Sequence, residues 1–98
     1  MASVSELGKV REQRHRFLKA VYDLAHGRPT RPIRKADVAQ RLGLDVTNRA
    51  RFDEFMAIGQ YLSDLGYIRT FEGSIKEYRE YGFFRITEQG IEAAEENF

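Results

Sequence analysis

The sequence predicts a small α+β fold, mainly α, and three observations carry that prediction. Leu62-Ser63-Asp64-Leu65-Gly66-Tyr67-Ile68 reads as the last turn of a helix, closed by a glycine free to take the left-handed conformation, running straight into a strand. Ile86-Thr87-Glu88-Gln89-Gly90 reads as a strand end followed by a threonine N-cap, with Glu88 in the first turn of a new helix. Between these strings, Tyr67 to about Glu72 and Tyr81 to Ile86 show the period of two that defines a two-stranded ribbon. Ile68, Phe84 and Ile86 point inward, and Arg69, Phe83 and Arg85 outward.

Three helices precede or enter this frame. The first is expected from about Lys9 to His26, because Val10, Phe17, Leu18, Val21, Leu24 and Ala25 recur near the 3.6-residue period. Gly27 ends it, and the two prolines in Gly27-Arg28-Pro29-Thr30-Arg31-Pro32 allow at most a short edge strand near Thr30 to Ile33. Residues 1–8 carry too little apolar surface to order by themselves, which predicts a flexible tail or a docking arm ahead of a single domain over 9–98. A second helix fits Lys35 to Leu42, stopped by Gly43, with Leu44 buried in the turn. The third begins between Thr47 and Phe52 and ends at Leu65, with two apolar faces. Gly59 inside it costs roughly 1 kcal/mol relative to alanine, which predicts a close approach of another backbone there.

Composition narrows the chemistry. With 98 residues, 42% apolar and 32% charged, the chain is of ordinary globular make-up and holds one core. It has no cysteine, so disulfides, thiolate zinc sites and cysteine nucleophiles are excluded. The longest apolar run, Phe55-Met56-Ala57-Ile58, is too short for a membrane span or a signal-peptide core, so a cytoplasmic location is expected. His15 and His26 lack the i, i+4 spacing of a chelating pair, and adjacent Asp53 and Glu54 diverge on a helix, so neither a metal site, a cofactor site nor an acid–base dyad is expected. The net charge of +1 conceals an asymmetry: residues 1–51 hold twelve Lys/Arg against five Asp/Glu, and residues 52–98 hold four against ten. The basic half is a candidate phosphate footprint. Alternatively, the halves neutralise each other within the folded molecule or across a dimer.

The string Ala36-Asp37-Val38-Ala39-Gln40-Arg41-Leu42-Gly43-Leu44 resembles the scaffold helix and turn of bacterial helix-turn-helix proteins. With the two frame strings, it makes roughly residues 10–98 similar to the winged helix-turn-helix domains of small bacterial transcription regulators, the MarR-like and PadR-like groups among them. The resemblance implies a three-helix core, a two-stranded β wing and a C-terminal helix. It also implies a third helix that enters the DNA major groove and a wing that reaches backbone or minor groove. Separately, the residues hold no catalytic constellation, so no enzymatic activity is expected. A homodimer joined through the first helix, the last helix or both is expected.

The third helix departs from that pattern, because the interval from Gly43 to Gly66 is longer than usual in such regulators. Aligned backward from Gly66, the groove-facing positions are Asp53, Glu54, Met56, Ala57 and Gln60, two of them acidic. Aligned forward from Leu44, they are Thr47, Asn48, Arg49 and Arg51, side chains suited to base edges. The DNA reading adds Arg34 and Lys35 at the start of the second helix as phosphate holders and Lys76 and Arg79 at the wing tip. The competing reading makes Asp45 or Thr47 a cap and pairs Arg49 and Arg51 with Asp53 or Glu54. The acidic third helix and the outward aromatics Tyr67, Phe71 and Phe83 then suit a protein–protein interaction module.

Overall fold

A computed structural model describes residues 4–45, 47–71 and 82–96. The chain is α+β and mainly helical. Among the described residues the order is α1 (Val4–Ala25), β1 (Ile33–Arg34), α2 (Lys35–Arg41), α3 (Arg49–Asp64), β2 (Ile68–Phe71), β3 (Phe83–Ile86) and α4 (Glu88–Glu96). The three strands form one antiparallel sheet in the order β1-β3-β2. No helix among the described residues is long and apolar enough to cross a membrane.

Helices α2 and α3 each end one residue before the expected Leu42 and Leu65, and α1 differs at both ends. Helix α1 starts at Val4 rather than Lys9, since each residue added to an established helix gains a hydrogen bond without a new nucleation cost. It ends one residue early, at Ala25, where His26 and Gly27 both take positive φ, 52° and 71°. The ribbon gains a third strand. Pro32 has no N–H to give a ladder, so pairing starts only at Ile33, which lies opposite Phe84, with Arg34 opposite Phe83.

Helices α2 and α3 end alike. Gly43 (φ 72°) donates to Gln40 O at 3.0 Å and Leu44 to Ala39 O at 2.9 Å. Gly66 (φ 82°) donates to Ser63 O at 2.9 Å and Tyr67 to Leu62 O at 3.0 Å. Both are the paired bonds of a Schellman stop, which satisfies carbonyls that would otherwise be orphaned. Leu44 packs against the core from the turn, half-buried.

The inner sheet face meets α1 and α3 through a ring cluster. Phe17 lies 5.1 Å from Phe55 and 5.5 Å from Phe84, and Phe55 lies 6.0 Å from Phe84, centroid to centroid. Val21, Val38, Leu62, Ile68 and Ile86 complete the buried set around them. What crowds Gly59 is this cluster and not a backbone: a Cβ there would sit 3.3 Å from Phe84 Cζ and 3.5 Å from Phe17 Cζ. A backbone does crowd Gly90, where a Cβ would collide with Tyr67 O. Beside it, Thr87 Oγ1 accepts from Gly90 N at 3.0 Å and lies 2.6 Å from Gly66 O and 3.0 Å from Tyr67 O. The two strings that announce the fold are thus bonded to each other.

Candidate nucleic-acid interface

The turn from α2 into α3 is shaped by its own polar side chains. The Asp45 carboxylate accepts from both the backbone N–H and the hydroxyl of Thr47, an Asx-turn that bends the chain locally. These two bonds, the hydroxyl's first, hold the Asp45 carboxyl below its ordinary value. Asn48 is the N-cap of α3, its Oδ1 accepting from Arg51 N at 3.2 Å. Neither Asp45 nor Thr47 fills that place. Asn48 therefore spends its carbonyl oxygen on the helix end.

Three of the expected contact arginines are exposed, and each is paired. Arg34 grips Asp37 with two bonds, Nε to Oδ2 at 3.1 Å and a terminal nitrogen to Oδ1 at 3.0 Å. Arg49 Nε lies 3.3 Å from Asp53 Oδ1, and Arg51 lies 3.2 Å from Glu54 Oε2. Such solvated pairs are worth about 0–1 kcal/mol, and Arg49 is 88% exposed. They orient the guanidiniums without committing them.

The remaining expected contacts fare differently. Lys35 is only 3% exposed, with its backbone N–H bonded to Gly82 O at 3.1 Å and Nζ 5.2 Å from the Phe84 ring centroid. The strand-to-helix junction turns this side chain into the domain, so the expected phosphate contact is corrected. Gln60 is exposed and donates to Asp64 Oδ1 at 2.8 Å. Lys76 and Arg79 lie outside the described residues.

The exposed charges of α3 are Arg49 and Arg51 against Asp53, Glu54 and Asp64. Tyr61, on the same helix, is covered by the Arg14 guanidinium at 3.6 Å from its centroid, a cation–π contact from α1. Tyr67, Phe71 and Phe83 are all half-buried; Phe71 and Phe83 stack at 5.1 Å on the sheet, while Tyr67 packs against the core. Only part of the expected aromatic strip is thus on the open face. Arg69 and Arg85 share that face. Their alternation marked them as outward, but only the register, which sets them directly opposite each other, joins them into one feature.

His15 and His26 lie on and just beyond α1. Among the described residues no group of three or more His, Asp or Glu is placed to hold a metal ion. No family model matches the chain, and no curated protein or solved structure matches it.

Proposed function

We propose that the chain is a winged helix-turn-helix protein that binds duplex DNA, in the manner of a small bacterial-type regulator, through the first turn of α3. The observation that supports this reading best is the exposed cluster of Thr47, Asn48, Arg49 and Arg51 at the solvent end of α3, behind a turn closed by Gly43. Arg34, just before α2 and opposite Phe83 on the sheet, adds a further phosphate contact. A DNA phosphate approaching Arg34 or Arg51 exchanges with Asp37 or Glu54, a swap that is inexpensive because the solvated pairs are weak. Asp53 and Glu54 remain near the backbone and repel it, so affinity is modest and salt-sensitive. A duplex titration in low salt is the test. Affinity should fall at least about tenfold for Arg49→Ala with Arg51→Ala; affinity that ignores both the substitutions and added salt rejects the assignment.

The acid-rich outward side of α3 favours a second reading, a winged helix that docks a protein through this helix. It is distinguished by the opposite result: negligible duplex affinity at low salt, together with a stable complex seen by sedimentation.

A further inference from the structure

We propose that the outward face of the sheet binds a segment of single-stranded nucleic acid, bases stacking on Phe71 and Phe83 and phosphates meeting Arg69 and Arg85. This goes beyond the α3 reading and does not rest on it: α1 and α3 cover the other face of the sheet, and of the duplex contacts only Arg34, opposite Phe83, reaches this one.

Four observations converge. Arg69 and Arg85 are cross-strand partners, both exposed. Like charges directly opposite each other destabilise a sheet, and neither guanidinium forms an ion pair among the described residues. Among the described residues no carboxylate answers this pair, so an external anion fits it. Two residues along the same face, about 7 Å by strand rise, Phe71 and Phe83 form a second cross-strand pair. Their rings stack with 17° between planes, and the Arg85 guanidinium lies 5.4 Å from the Phe71 centroid. A ring pair beside a guanidinium pair is the combination that holds a nucleic-acid strand without sequence preference: every base has a flat face and every link a phosphate.

The surroundings agree. A cavity of about 250 Å³ is lined by Arg69, Phe71 and Arg85 together with Pro29, Thr30 and Glu88. Arg28 and Arg31, exposed and without ion pairs among the described residues, flank Pro29 and Thr30. Glu88 bounds the cationic strip on the α4 side. The rings decide the class of occupant. A duplex keeps its base faces stacked on neighbouring pairs, and an acidic peptide answers the arginines but offers the rings no plane.

The experiment is fluorescence anisotropy of the full chain with labelled oligothymidine of about 12 nucleotides, within the usual single-strand site range, at low salt. Arg69→Ala with Arg85→Ala should weaken binding at least about tenfold, and Phe71→Leu with Phe83→Leu by about tenfold through lost stacking. Arg49→Ala with Arg51→Ala should leave single-strand affinity within about twofold, since those side chains lie on α3. Thermal unfolding guards against misfolding: the double arginine variant should melt no lower than the parent, because a repulsive pair is removed. The proposal is overturned if the parent does not bind the oligonucleotide. It is equally overturned if the arginine or phenylalanine variants bind as the parent does, or if polyglutamate or thymidine monophosphate displaces the strand at equal molar phosphate or carboxylate.

Discussion

Thr87 occupies a place where three backbone groups converge, the N–H of Gly90 and the carbonyls of Gly66 and Tyr67. Valine has nearly the same shape but no hydroxyl, so Thr87→Val leaves part-buried groups without their partner. A loss of about 1–3 kcal/mol is expected, read as a drop of several degrees in the melting temperature. Gly90→Ala should be harsher, about 3 kcal/mol or more, since its methyl would meet Tyr67 backbone and not a movable side chain. Gly59→Ala meets only ring edges at 3.3–3.5 Å and gains helix propensity, so its stability should stay within about 1 kcal/mol of the parent. Denaturant unfolding of the two glycine variants side by side checks the contrast. Asp45 provides a pH prediction. Its carboxyl is held low in the folded chain by the Thr47 bonds, so the stability it contributes is present above its unfolded value and lost as pH falls through the lowered folded one. Carboxyl NMR titration should place its midpoint below the ordinary aspartate value, and Thr47→Val should raise it.

At the scale of the element, α3 combines a legible end with a less legible beginning. Its stop was readable because Gly66 must supply the positive φ that ends the helix before β2. Its start was not, because Asp45, Thr47 and Asn48 are all capable caps and local spacing does not choose among them. The structure chooses Asn48, and Asn48→Ala should cost about 1 kcal/mol. The pairings of Arg49 with Asp53 and Arg51 with Glu54 were visible as i, i+4 and i, i+3 spacings. What spacing leaves open is whether phosphate displaces those carboxylates. Asp53→Asn with Glu54→Gln tests this directly: if the α3 reading holds, duplex affinity rises several-fold at low salt, whereas an unchanged affinity places DNA elsewhere. The burial of Lys35 was illegible for a different reason. A lysine at a helix start looks solvated until a third strand and Phe84 close over it, and β1 meets β3 only through a pairing across some fifty residues.

Across the whole molecule, charge is sorted by structure more than by sequence half. Arg34, Arg41, Arg49 and Arg51 carry carboxylate partners, whereas Arg28, Arg31, Arg69 and Arg85 have no ion pair among the described residues. The small net charge of +1 therefore says little about either face. If Arg34, Arg49 and Arg51 are the duplex contacts, log affinity should fall with log salt at a slope of about −2.7, three released counterions' worth. A slope near zero would reject the electrostatic part of that reading.

The bonds from Thr87 to Gly66 and Tyr67 also tie two helix ends to one side chain. They join the stop of α3 to the first turn of α4 across 21 and 20 residues of sequence, beside the Ile68–Ile86 end of the β2–β3 pairing. A contact over that separation carries a closure cost that grows only slowly with length, by about 0.6 kcal/mol per doubling. The clasp thus makes the end of one helix and the start of the next a single unit, and their amide protons should exchange together rather than one after the other.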